Sequence, residues 1–362
     1  MSGKTLPCTE ISRDVAEALT LAFREAIRRT QPKVGTEHVL SALLDGDSAA
    51  GGVLAPTVRA SGSMMGVIRA KGIDDHWVHD DDAEPVHDLA VTGLLREAAW
   101  AARQTDSDVP PPTGALRAAL RQALLYADEH GTPRANTTHL LMGLLHTPDN
   151  RAHEALRERR VDRSDVLARL RVHPSAGEPG EPPHTDTART LRKMGLLDGQ
   201  RGQMSVRLVA KLFGNGAPVF MALRMEARRQ AVRLGHGEMT TAHLLLAVLA
   251  LDEQLTTAGQ RFSPELAGSN TAAERLRARG LTLHAAADAA RNLFPEAENH
   301  PYAEKFPENP ALEKVLTKAR WRAGEDRVPA GTDHLLAELL AEPDGPVTAL
   351  LSGIGIDTTD LR

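Results

Sequence analysis

Four histidines raise the first question of chemistry in this sequence. His38, His139, His243 and His334 each lie at the start of an apolar run: GTEHVLSALL at 35–44, TTHLLMGLL at 137–145, TAHLLLAVL at 241–249 and GTDHLLAELL at 331–340. Imidazole serves as metal ligand, general base or hydrogen-bonding group. The copies lie about 100 residues apart, and none carries a cysteine or second histidine at ligand spacing, which argues for a structural role. The acidic stretch DDHWVHDDDAEPVHD, residues 74–88, could gather Asp74, His76, His79, Asp80, Asp82 and His87 around a divalent cation. A solvated inter-repeat loop is the plainer reading, so no metal is expected. SGKT at 2–5 has the ending of a phosphate-binding loop without the strand and glycine before it. HEALR at 153–157 lacks the second histidine of a zinc helix, and LRERRVDR at 156–163 reads as a solvated helix end. No nucleophile stands beside a base. The sequence therefore predicts a non-enzyme without a cofactor.

The elements that position these residues are helices. The chain of 362 residues is 41% hydrophobic but only 3% aromatic, so its cores must be built from Leu, Ala and Val. Helix formers dominate and β-branched runs are scarce. In each copy a threonine or glycine precedes the histidine, and in the first Thr36 is expected to cap the helix. Val39, Leu40, Leu43 and Leu44 then form one apolar stripe, matched by Leu140, Leu141, Leu144 and Leu145 and by the equivalent positions of the last two copies. A longer Ala/Leu/Arg helix lies upstream each time, as in ISRDVAEALTLAFREAIRR and NPALEKVLTKARWRAGED, and several open on a capping residue: Ser12, Thr113 or Asn309. A shorter helix follows, as in RAHEALRERRVD, TAAERLRARGLTL and PVTALLSGIGID. The fold class is all-α, with four repeated small helical bundles. HPSAGEPGEPPHTDT at 173–187 reads as a solvated linker, which gives domains at 1–172 and 188–362.

Composition limits the function classes. A net charge of −5 opposes a dedicated nucleic-acid binder. The single cysteine, Cys8, cannot close an internal disulfide, which fits a reducing compartment. No apolar run reaches membrane-spanning length and the N-terminus shows no apolar leader. A cytoplasmic protein is expected.

SRDVAEALTLAFREAIRRTQPKVGTEHVLSALLDGD resembles the Clp N-terminal (Clp repeat) domain of Hsp100 unfoldases such as ClpC, ClpA and ClpB, and VRLGH at 232–236 extends the likeness into the third copy. The resemblance covers most of the chain and implies two tandem pseudo-twofold domains, residues 1–172 and 188–362, without the ATPase modules that such unfoldases carry. It also implies recognition of peptides, tagged proteins or adaptors, or of cyclic peptide antibiotics. Such a chain would act as adaptor, competitor or decoy, with a Clp ATPase among its possible partners. In ClpC-type domains the carboxylate of the Gly-Thr-Glu-His signal belongs to a phosphoarginine site. Carried onto this chain, that points to Gly35, Thr36 and Glu37 with Ser12 in the first copy, Thr113 in the second and Asp333 in the fourth. Thr138 and Ala242 stand where the acid would be in copies two and three. The physics suits the ligand, since a helix N-terminus receives an anion and a carboxylate receives a guanidinium. The competing expectation is a scaffold whose repeats only mediate assembly.

Overall fold

The structure, a computed structural model, describes residues 8–73, 76–79, 81, 88–103, 108–147, 149–181, 183, 186–199, 217–294, 296–297 and 306–361. Among these residues there is no β-strand, only isolated bridges between loops. The chain divides into two compact units, Met1–Pro183 and His184–Arg362.

The first unit contains α1 (Arg13–Arg28), α2 (Thr36–Asp45), α3 (Ala49–Leu54), α4 (Val58–Ile73) and α5 (Leu89–Ala102), followed by α6 (Gly114–Glu129), α7 (Thr137–Leu144), α8 (Arg151–Glu158) and α9 (Arg163–Arg171). The hairpins α1–α2 and α6–α7 are the repeated pairs, and their apolar stripes form the core. Val39, Leu40, Leu140, Leu141, Leu144 and Leu145 are completely buried. Each such side chain stabilises the fold by about 1.5–3 kcal/mol. The two repeats clasp each other through short loop pairings. Ser12 N donates to Ala135 O ahead of α7, at 2.8 Å, while Val34 N, ahead of α2, donates to Pro111 O at 2.9 Å. Neither repeat can satisfy these backbone groups alone. Sequence reading assigned no helix to α5. Asp88 caps it by accepting from Ala90 N and Val91 N, and its apolar face packs on α1.

The second unit contains α10 (Asp186–Met194), α11 (Ala217–Leu234), α12 (Thr241–Thr257), α13 (Pro264–Ala267), α14 (Ala272–Ala278), α15 (Leu283–Leu293), α16 (Pro310–Asp326), α17 (Thr332–Leu340) and α18 (Pro346–Gly353). Leu244, Leu245, Leu335 and Leu340 lie at its centre, all completely buried. The same loop pairing joins its repeats, with Met239 N donating to Pro307 O and Asn309 N to Met239 O, each at 2.9 Å.

Two expectations are corrected here. The N-cap of α2 is Gly35, and Thr36 is the first helical residue. Part of the stretch read as a solvated linker is attached to the first unit. Residues Pro174–Gly177 form a 3-10 turn, Asn136 Nδ2 donates to Ser175 O at 2.7 Å and to Glu178 O at 2.9 Å, and Arg13 N donates to Glu181 O at 2.8 Å. The free backbone N–H of Arg13 at the start of α1 and the Asn136 side-chain amide at the start of α7 recruit this segment, whatever its Pro and Gly content.

Candidate functional site

The repeated histidine has one job in all four copies. It is the third residue of its helix, and its Nδ1 accepts the backbone N–H of the N-cap: Gly35 at 3.1 Å, Asn136 at 3.1 Å, Thr240 at 2.8 Å and Gly331 at 3.2 Å. This is a capping box with imidazole in place of the usual Glu or Gln. Each histidine also has surroundings of its own. His130 stacks beside His139, with ring centroids 5.2 Å apart. His243 Nε2 lies 2.8 Å from His236 Nδ1, and Phe294 covers both rings. Because Nδ1 of His243 accepts from the backbone, its Nε2 carries the proton and donates to His236. The sequence offers no second histidine at ligand spacing from these positions; the hairpin turn brings His236 and His130 back beside them. Burial, with the neighbouring His130, pushes the His139 pKa down to about 4. Burial and His236 push that of His243 down to about 3.

Glu37 is the most unusual charged group of the first unit. It is only 3% exposed, yet it is ionisable and occupies the first turn of α2. Oε1 accepts from Arg151 Nη1 at 3.1 Å, across 114 residues of chain. His38 Nδ1 lies equally close to that oxygen, 3.1 Å away, but it accepts from Gly35 and so holds no proton for the carboxylate. Burial pushes the Glu37 carboxyl up, and the charge of Arg151 pulls it down. Oε2 has no hydrogen-bond partner. It lies over Gly35, where a Cβ would stand 2.1 Å away, so a side chain there would push the carboxylate aside. A cavity of about 20 Å³, lined by Glu37, His38, Glu25, Arg29, Ile68 and Trp77, adjoins the carboxylate. That volume holds one water molecule.

The N-terminus of α2 is held by Asp81, the member of the acidic stretch that sequence reading did not single out. Its side chain accepts from Thr36 N at 2.7 Å, Thr36 Oγ1 at 3.1 Å, Thr113 Oγ1 at 3.3 Å and Arg151 N at 3.0 Å. Its backbone carbonyl accepts from Ala115 N at 3.0 Å. One buried aspartate thus ties together the starts of α2, α6 and α8. Burial and the Glu37 charge push its carboxyl above its ordinary value. Glu154, fully buried, secures the chain just ahead of Asp81. It accepts from Lys71 Nζ at 2.7 Å, Val78 N at 3.0 Å and His79 N at 3.2 Å. Trp77 lies between two cations, with Lys71 Nζ 5.8 Å and Arg151 Cζ 5.9 Å from its ring centre.

The remaining expected site residues are placed as follows. Ser12 and Thr113 are buried N-caps of α1 and α6, accepting from Val15 N and Leu116 N. Thr138, in place of the acid, bonds the Ser175 hydroxyl at 2.6 Å. Ala242 is buried without a polar role. In the second unit Asp333 points away from its own helix start. It accepts from Thr271 N and Thr271 Oγ1, each at 3.0 Å, and so caps α14, while Asn270 Oδ1 accepts from Thr332 N at 3.0 Å. The structure therefore brings Thr36, Glu37 and Thr113 together around Asp81 and leaves Asp333 as a structural cap of another helix. Asp74, Asp80, Asp82 and His87 of the expected acidic cluster, and the SGKT stretch, lie outside the described residues. Among the described residues no group of three His, Cys, Asp or Glu is placed to hold a metal ion. No described helix is long and apolar enough to cross a membrane.

Over 142 residues, 38% of the chain, the sequence is 28% identical to an ATP-dependent Clp protease ATP-binding subunit ClpA homolog of Cyanidium caldarium. The match spans 14% of that protein's length. No family model matches the chain. The chain is thus similar to a part of that Clp protease subunit over these 142 residues.

Proposed function

We propose that this Clp-related chain is a non-enzymatic protein-recognition module, with the Glu37 region of the first unit as its charged recognition site. One observation carries the reading: the site already holds a guanidinium and an anion side by side. Arg151 occupies Glu37, and the Asp81 carboxylate occupies the N–H of Thr36. A phosphoarginine-like side chain offers the same two groups on one ligand, and it would bind by replacing both internal ones. Gly35, Thr36 and Glu37 then form the receptor, with Ser12 and Thr113 as the caps that fix the neighbouring helices. Asp333 would contribute only if it released Thr271. In this role the protein serves in the cytoplasm as adaptor, competitor or decoy, taking tagged proteins, peptides or cyclic peptide antibiotics that a Clp ATPase or its adaptors also meet.

Calorimetric titration of free phosphoarginine tests the site. Asp81→Asn, which weakens the internal anion, should bind at least as tightly as the wild type, and Glu37→Ala should not bind. Absence of binding to both the wild type and Asp81→Asn, with helicity intact, rejects phosphoarginine. A scaffold is the second reading, and the exposure of Trp321 at 77% on α16 favours it. An obligate dimer in sedimentation that covers Trp321 would support assembly over ligand capture.

A further inference from the structure

The turn joining α8 to α9 recurs in the third and fourth repeats with one backbone pattern. Arg160 N donates to Arg157 O at 2.9 Å and Val161 N to Leu156 O at 3.0 Å. Gly280 and Leu281 make the same two bonds to Arg277 and Leu276, as do Gly355 and Ile356 to Ser352 and Leu351. The central residue is left-handed each time, with φ of 54° at Arg160, 83° at Gly280 and 81° at Gly355. Glycine takes this conformation without steric cost, and arginine does not. Thr30 and Arg327 hold it after α1 and α16, so the conformation alone signals nothing.

What distinguishes this turn is the charge around it. The side chains of Arg157, Arg159, Arg160 and Arg163 have no ion-pair or hydrogen-bond partner among the described residues. At the matching position of the third repeat Arg277 is held by Asp252 at 2.6 Å, and the fourth repeat has Ser352 and Gly355 instead of arginines. The fold of the turn therefore does not require the cluster. Arg157, Arg160 and Arg163 line an open concavity of about 520 Å³ together with His153, Val161, Asp162 and Ser164. Nη1 of Arg163 is shielded from solvent and has no hydrogen-bond partner, so the guanidinium is not engaged within the fold. Asp162, the acid within the turn, is engaged in capping α9 through Ser164 N at 2.7 Å and Asp165 N at 3.2 Å.

We infer that this concavity is a docking site for an acidic segment of a partner polypeptide, whose carboxylates take Arg157, Arg160 and Arg163. A duplex or single strand of nucleic acid fits less well, because the basic surface is one notch at a helix end on a chain of net charge −5, not an extended stripe. The site is separate from Glu37 and does not depend on the function proposed there.

The test uses a fluorescein-labelled hexaglutamate peptide and the full chain, read by anisotropy. Saturable binding that weakens with salt is expected. Arg157→Gln combined with Arg163→Gln should lower affinity at least tenfold. Arg160→Gly, which installs the residue of the sister repeats, should lower affinity severalfold while raising the melting temperature by about 2–4 °C. A solvated helix end would show the thermal gain without the loss of binding, and that result overturns the inference. So does a wild type that binds no peptide at millimolar concentration, or one that binds an oligonucleotide of equal charge more tightly.

Discussion

Acid should act on the second unit through a buried imidazole. His243 is completely buried, it accepts the Thr240 N–H through Nδ1, and its pKa is pushed down to about 3. In the unfolded chain a histidine titrates near its ordinary value of about 6.5. Between these two values the unfolded state carries a proton that the folded state excludes, so stability falls as pH falls. The contribution is complete above about 6.5 and is lost progressively down to about 3. Each full pH unit inside that window is worth about 1.4 kcal/mol per site; the unfolded imidazole is half protonated at pH 6.5, so moving to pH 4.5 removes about 2 kcal/mol through His243. Glutamine is the usual residue at this position of a capping box and does not titrate. His243→Gln should therefore keep the cap and lose the pH dependence. The assay is hydrogen exchange of the peptides covering Thr241–Thr257, at pH 6.5 and 4.5 in graded urea. The fall in opening free energy between the two pH values should be about 2 kcal/mol smaller in the variant. Any constant effect on His236 or on packing cancels in that difference. Equal falls in variant and wild type would refute the assignment of His243 as a buried neutral acceptor.

His139→Gln should show the same signature in the first unit, over a shorter range, because burial pushes His139 down to about 4; exchange of peptides from α7 reads it. Glu154→Ala leaves Lys71 and two backbone N–H groups of the 76–79 segment without their buried acceptor, and should cost about 3–5 kcal/mol in urea unfolding. Gly35→Ala sets a methyl group 2.1 Å from Glu37 Oε2, so the carboxylate must move; a loss of about 1–3 kcal/mol is expected, with nothing comparable for Gly52→Ala, whose Cβ meets no neighbour.

Local signals were the legible part of this chain. Four apolar stripes, the caps at Ser12, Thr113 and Asn309, and the recurrent histidine are each written within about a dozen residues. Helical periodicity and capping act over that distance, so the all-α class and the repeat could be read from them. The structural role of the histidines was legible for the same reason, since the N-cap they serve is three residues away. What holds Glu37 was not legible. Its partner Arg151 arrives from 114 residues away, and nothing in DDHWVHDDDAEPVHD marks Asp81 as the one aspartate that folding buries at three helix starts. The fate of 173–181 escaped for a related reason: composition described a solvated linker, and the Arg13 N–H and Asn136 amide that claim it belong to helices elsewhere in the unit. Stripe and cap follow from neighbours along the chain. Which acid is buried, which arginine reaches it and which loop covers a helix end depend on desolvation and on groups that meet only after the repeats have packed.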